Sequence, residues 1–320
     1  MQNSSSHTQK LLATTAQINE MLEYYEGYLT YNTNNYMIAR VKIATVTITF
    51  YRTNVVLFQG VDATTEYNFW AKKFNIQQIE NDSTPTTNYS ILNAVGSDEV
   101  GTGDYFGPIV VCATYTTKET ASKLRQLGVK DSKLLTDNQI ISLSMQVSKL
   151  IPYSIIILDP YKFNSLSPKH DNLNFVKSYL HNKAINSILK KLENVKPEAI
   201  LIDEFTPKEK YLEYLKNDPN LVTNITTIVH GENAHIGIAA ASILARTVFI
   251  RELKRLSNEY DIELLKGAGR EVDRTAISFV KSYGFEGLKH VAKLKFSNTE
   301  RVKEYFENNP NQLRKTKDSN

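Results

Sequence analysis

The sequence predicts an α/β protein in two parts: a small antiparallel sheet with helices beside it, then a larger domain in which buried strands alternate with helices. Three observations predict it. Strict two-residue alternation runs through Ala39, Val41 and Ile43, then through Val46, Ile48 and Phe50. Downstream, short apolar runs such as "GPIVVCATYT", "PYSIIILDP" and "EAILIDEF" alternate with long helical patterns. Between the two regimes lies "ENDSTPTTNYS", polar and carrying Pro85, which reads as a linker. The expected division is an N-terminal domain over 1–80, a linker over 81–90, a main domain over 91–308 and a basic tail over 309–320.

In the first part, Leu11, Ile18, Leu22 and Tyr25 recur at helical spacing, with Gly27 as a stop. The alternating strands follow, "RTN" turns the chain into "VVLFQG", and "TTEYNFWAKKF" closes the block as a helix. The strands leave one wet face bearing Arg40, Lys42, threonines and Tyr51. That face is either simply solvated or a platform for nucleic acid, which cations interleaved with tyrosine suit. In the second part, strands are expected at "YSILNAVGSDE", the three runs above and "LVTNITTIVH". Helices are expected at "NFVKSYLHNKAINSILKKLENV", "YLEYLKN" and "AHIGIAAASILARTVFIRELKRLSNEY".

Bulk properties exclude several classes. The 320 residues are 41% hydrophobic and 22% charged, a globular composition. "YSIIIL" and "VTITFY" are too short to cross a bilayer, and "MQNSSSHTQK" lacks an apolar signal core, so a cytoplasmic protein is expected. Cys112 is the only cysteine, which excludes an internal disulfide and a cysteine-based zinc cluster. The net charge of +4 permits nucleic acid without demanding it. The basic excess lies after residue 88, where 32 Lys and Arg face 27 Asp and Glu.

The acids are placed unusually. Asp98 and Glu99 end one strand, Asp203 and Glu204 follow "AILI", and Glu232 stands where a strand yields to a helix. Chemistry in such sheets collects at strand ends. Clustered carboxylates resist ionisation unless a cation neutralises them, and hard oxygen donors select Mg2+ or Mn2+. Each acid also has an ordinary reading, as a helix cap or wet turn. Asp203 is preferred over Glu204, because an acid abutting a buried strand is costly unless paired. Adjacent strand residues face opposite ways, so Asp98 and Glu99 can share a metal only if the strand breaks there. Gly101 and Gly103 allow that break and admit close approach of a ligand to the backbone.

"GSDEVGTGDYFGPIVV" resembles the signature of ribonuclease HIII, a bacterial type 2 ribonuclease H with an extra N-terminal domain. "GVKDSKLLTD", "NLNFVKSYLHNKAI", "ILIDEF", "AAASILAR", "LKGAG" and "VAKLKFSNTE" are similar to further blocks in the family's order. The resemblance implies an RNase H-like mixed-sheet catalytic domain with helices on both faces. It also implies that the N-terminal domain is of a small α+β, TATA-binding-protein-like kind. The implied activity is endonucleolytic, metal-aided hydrolysis of the RNA strand of RNA/DNA hybrids, leaving 5′-phosphate and 3′-hydroxyl ends. By motif, Asp98, Glu99, Asp203 and Glu232 are the implied catalytic residues and the ligands of two Mg2+ or Mn2+ ions. Glu at 232 and the "GTGDYFG" spelling favour HIII over its sister, ribonuclease HII.

The resemblance implies strand contacts at Gly101, Thr102 and Gly103; "KDSK" is either a polar turn capped by Asp131 or Ser132 or a substrate contact through Lys130, Ser132 and Lys133, and Arg40 and Lys42 of the wet face are further candidate contacts. One departure is His230-Gly231, where family members often have Lys-Ala or Lys-Gly. His181 and Asn182 are read as structural, and His230 with His235 lacks the partners of a zinc site. A monomer is expected. The alternatives are cleavage at single embedded ribonucleotides, or nucleic-acid binding without catalysis.

Overall fold

The computed structural model describes residues 7–30, 36–43, 45–75, 88–129, 135–167, 172–193 and 195–310. The chain forms two compact units, 1–87 and 88–320.

The first unit is a five-stranded antiparallel sheet in the order β1-β5-β4-β3-β2. Its strands are β1 (His7–Leu12), β2 (Leu29–Thr30), β3 (Met37–Ile43), β4 (Val46–Tyr51) and β5 (Val55–Gly60). Two helices, α1 (Thr15–Tyr24) and α2 (Ala63–Lys73), supply Ile18, Met21 and Trp70 to the core formed with Val41, Ile48 and Phe58. Leu11, expected in the first helix, lies in β1 instead. Thr14 and Gln17 form a capping box that starts α1 three residues later. Arg40 and Lys42 pair with Thr49 and Thr47 across β3 and β4, and both cations are exposed on the face opposite the core.

The second unit is built on a mixed sheet in the order β10-β9-β6-β7-β8. β6 (Ala94–Val100), β7 (Ile109–Thr116) and β8 (Tyr153–Leu158) run antiparallel to one another. β9 (Ala199–Asp203) and β10 (Thr226–Ile228) add in parallel on the other side of β6. The expected strand at "YSILNAVGSDE" is shorter, because 89–91 form a 3-10 turn capped by Asn88. Only Thr226–Ile228 of "LVTNITTIVH" pairs.

Between β7 and β8 stand α3 (Lys118–Gln126) and α4 (Asp137–Leu150). After β8 come α5 (Pro160–Asn164) and α6 (Leu173–Lys191), and α7 (Lys208–Tyr214) links β9 to β10. The chain ends through α8 (Gly231–Ala234), α9 (Ile236–Glu259), α10 (Arg270–Val291) and α11 (Ser297–Asn308). The pattern reading did not reach α3, α4, α10 and α11. α6 packs on one face of the sheet through Val176, Leu180 and Ile185, against Val95, Val111 and Ile202. On the other face, α9 packs with α4 and α10 around Val110, Cys112, Ala240, Ile243 and Phe279.

The helix crossing on β6 is tight. A β-carbon on Gly96 would lie 2.5 Å from the Gly237 carbonyl carbon and 2.5 Å from the Ile238 nitrogen. Thr114 Oγ1 donates to the Gly237 carbonyl at 2.8 Å, fixing the first turn of α9.

Lys293, between α10 and α11, is fully buried and donates to the carbonyls of Phe106 (3.3 Å) and Gly107 (2.5 Å). Burial pushes its pKa down from 10.5 to about 7, against the opposing charge of Asp104. Between those two values the unfolded chain binds more protons than the folded one, so stability rises with pH there. Below the folded pKa the full cost of the buried ammonium is borne. The slope is at most ~1.4 kcal/mol per pH unit, or roughly 3–5 °C in a domain of this size. Thermal melts of wild type and K293M at intervals from roughly pH 7 to pH 9 should show the wild type gaining on the variant. A constant difference would contradict the buried lysine.

Candidate active site

The acids at the strand ends divide between the two faces of the sheet. In the parallel pairing of β6 with β9, Ser97 stands opposite Ile202, so Asp98 and Asp203 follow as neighbours on the same face. That face carries α9, and Ser242 of α9 hydrogen-bonds the Asp98 carboxylate. Asp98 is only 8% exposed. Burial raises its pKa well above the ordinary carboxylate range, and the charges of Glu99 and Asp203 raise it further. Asp203 Oδ1 accepts from the Gly231 amide at 2.7 Å. Glu204 points elsewhere: it is exposed and takes a hydrogen bond from Thr227 Oγ1 at 2.9 Å.

Glu99 faces α6. Its Oε1 lies 2.5 Å from Lys177 Nζ and its Oε2 lies 2.9 Å from His181 Nε2. The opposite ring nitrogen, Nδ1, is 2.8 Å from Ser97 Oγ. Ser97 gives its own proton to the Cys112 carbonyl at 2.9 Å, leaving its lone pairs for the histidine. Phe205 floors the arrangement, with the His181 ring stacked on it at 5.1 Å and Lys177 Nζ 4.2 Å from its centroid. Burial by itself would raise the Glu99 pKa, but the hydrogen bond and charge of His181, then those of Lys177, hold it below the usual range.

Glu232 is buried in α8, one residue after Gly231. A β-carbon on Gly231 would meet Asp203 Oδ1 at 3.2 Å, so the turn before Glu232 is pressed against Asp203. His230 enters this turn in the left-handed region at φ 53° and is exposed. Glu232 also lines an open cavity of about 530 Å3 with Ser90, Arg125, Val129 and Asn233. His235, buried and capping α9, reaches the Leu92 carbonyl at 3.3 Å; it holds helix and linker end together rather than a metal.

The glycine loop follows β6 directly. Gly101 has φ +92°, and a β-carbon there would lie 2.1 Å from the Pro108 carbonyl oxygen. Gly103 has nothing within 4 Å of such a carbon, so its surroundings are open to an incoming ligand. Asp104 accepts from the Gly267 amide at 2.5 Å and Tyr105 donates to the Gly267 carbonyl at 2.8 Å, anchoring the loop's far end.

Asp98, Asp203 and the Glu232 turn are thus brought together, with Glu99 next to them across the strand. The all-oxygen donor set, with Asp98 and Asp203 sharing one buried face, fits a hard divalent cation. As the side chains stand, no three acidic, histidine or cysteine groups among the described residues converge as metal ligands. Both oxygens of Glu99 are engaged by Lys177 and His181. Lys130, Ser132 and Lys133 lie outside the described residues. His181, read from sequence as structural, contacts Glu99 directly. The available signal was Lys177 with His181, one turn apart on a helix face that is otherwise buried.

An acid pair closing adjacent parallel strands of a mixed sheet, Asp98 buried and Asp203 half-buried, has the donor chemistry of a metal-dependent hydrolase centre. Residues 95–299 match the family described as ribonuclease HII, and residues 10–83 match a domain of unknown function (DUF3378). Ribonuclease HIII of Enterococcus faecalis is 40% identical over 287 residues, covering 88% of this chain and 94% of that one. Ribonuclease HIII of Listeria monocytogenes is 40% identical over 263 residues, covering 80% and 85%. Among solved structures, Bst-RNase HIII in complex with Mn2+ superposes with a TM-score of 0.68 at 32% identity, over 94% of this chain and 100% of that one. The chain belongs to the ribonuclease HIII family.

Proposed function

We propose that the protein is an endoribonuclease that hydrolyses the RNA strand of RNA/DNA hybrids. The observation that carries this is the pairing of buried Asp98 with half-buried Asp203 on one face of adjacent strand ends, with Glu99 and Glu232 beside it. These four acids are the catalytic set. Bound there, two Mg2+ or Mn2+ ions would supply activation of water and stabilisation of the departing 3′ oxygen. Family membership and the Mn2+ complex of the Bst enzyme support that choice of ion. Ser242 orients Asp98, and the Gly231 amide orients Asp203. The backbone of Gly101, Thr102 and Gly103 meets the strand beside the cut, where the 2′-hydroxyl distinguishes RNA from DNA. Lys130, Ser132 and Lys133 are proposed as further contacts to that strand, and Arg40 and Lys42 as contacts to the hybrid backbone. The enzyme is read as a cytoplasmic monomer; the buried, single Cys112 suits a reducing compartment.

Cleavage of a labelled all-RNA/DNA hybrid, compared with a duplex holding one ribonucleotide, tests this reading with Mg2+ and with Mn2+. Preference for the hybrid is expected. Preference for the single ribonucleotide would move the enzyme to the ribonuclease HII type, and metal-dependent binding without cleavage would leave a binding protein.

Gly103→Ala separates ligand approach from folding. The new methyl meets no protein atom, so the thermal midpoint should hold within about 1 °C, matching surface changes of a few tenths of a kcal/mol. Affinity for the hybrid should fall on the order of tenfold, the cost of one displaced backbone hydrogen bond. Unchanged affinity would remove the loop from the substrate interface.

A further inference from the structure

Glu99 has a basic partner at each oxygen: Lys177 at 2.5 Å and His181 at 2.9 Å. Both come from one face of α6, four residues apart, and both rest on Phe205, two residues after Asp203. Lys177 is 9% exposed and His181 is 0% exposed. Burying an ammonium is costly, and a chain keeps such a group where a buried charge answers it. The two partners differ in how they are held. His181 is fixed from behind by Ser97, on the same strand as Glu99, and by the ring below it. Lys177 is held by Glu99 and the Phe205 ring, on a flexible four-carbon stem.

We propose that Lys177 and His181 are positioning residues with opposite effects on metal binding: His181 aims the Glu99 carboxylate, and Lys177 is a replaceable cation that a divalent ion displaces from Oε1. This rests on Glu99 being a metal ligand, as read above. An ammonium and a divalent cation compete for one carboxylate oxygen, and their mutual repulsion weakens whichever binds second. Until metal arrives, Lys177 neutralises the Glu99 oxygen that His181 does not engage. As the side chains stand, Glu99 is engaged by these partners on the face of the sheet that α6 covers. Metal uptake then carries a built-in threshold, set by the charge on residue 177 rather than by the ligands themselves.

The test is Mn2+ binding to the whole protein without nucleic acid, read from the loss of the free Mn2+ EPR signal on titration. Lys177→Met keeps the stem over Phe205 and removes the charge. Its Mn2+ affinity should rise on the order of tenfold, the repulsion of one unit charge on a divalent ion a few ångströms away in a wet site. Lys177→Arg keeps the charge and should bind as wild type. His181→Ala should bind Mn2+ several-fold more weakly. A merely structural lysine gives equal or weaker Mn2+ binding in Lys177→Met, which overturns the proposal. Glu99→Gln distinguishes the two levels. If it leaves Mn2+ affinity unchanged, the ligand reading of Glu99 fails. If it weakens binding while Lys177→Met does not tighten it, the ligand reading stands and the displacement by metal is refuted.

Discussion

Asp98→Asn should abolish cleavage of an RNA/DNA hybrid while leaving the fold as stable as before, or more so. The substitution keeps the shape of the side chain and leaves an oxygen for Ser242. It removes the charge that a metal needs. Loss of one such ligand forfeits several kcal/mol of transition-state stabilisation, a fall in kcat of ~10³-fold or more. Stability moves the other way for a stated reason. Asp98 has its folded pKa raised by burial and by the charges of Glu99 and Asp203. A carboxyl group of that kind contributes stability fully below its unfolded pKa and loses it as pH rises through the elevated folded value. At neutral pH without metal, the buried carboxyl group is therefore a burden that the amide relieves. Thermal melts with EDTA at neutral pH, paired with single-turnover cleavage in Mg2+, measure both quantities. Cleavage near the wild-type rate would remove Asp98 from the chemistry; a large fall in thermal midpoint would assign the loss to packing.

Gly96→Ala should lower the thermal midpoint by roughly 3–10 °C, from an overpacking cost of ~1–3 kcal/mol and the usual conversion for a domain of this size. The methyl would meet two backbone atoms of α9 at 2.5 Å, and backbone atoms cannot rotate out of the way. β6 and α9 must separate, and with them Asp98 and Ser242. Cleavage should therefore fall together with stability, unlike the result for Asp98→Asn. Gly103→Ala, whose methyl meets nothing, is the matched control in the same stretch of chain. Equal melting of the two variants would show that the helix crossing yields more easily than its spacing implies.

Much of this site is legible one residue at a time. An acid closing an apolar strand is visible wherever it occurs, and Asp98, Glu99 and Asp203 were marked by that position, Glu232 by standing where a strand yields to a helix. The choice of Asp203 over Glu204 followed from one rule about buried charge, and the two side chains do part in that way. Other features needed partners far along the chain. Helices α3, α4, α10 and α11 escaped the pattern reading, as did the short α5 and α8. Lys293 gives no sign in sequence that it is buried; its acceptors lie 186 and 187 residues earlier.

The division is sharpest within "SDE". Local backbone chemistry dictates that Ser97 and Glu99 share one face and Asp98 takes the other, because side chains alternate along a strand. The sequence by itself therefore set the two acids on opposite faces of any unbroken strand and placed the glycine loop directly after them; that β6 runs unbroken to Val100 is a finding of the structure. What each face meets was decided by tertiary structure alone. Glu99 meets α6 across 82 residues, and Asp98 meets α9 and the end of β9, through packing that no local pattern encodes. The physical reason is range. Alternation and turn chemistry act within a few residues, whereas the charge environment of a buried carboxylate is set by whichever helix covers it.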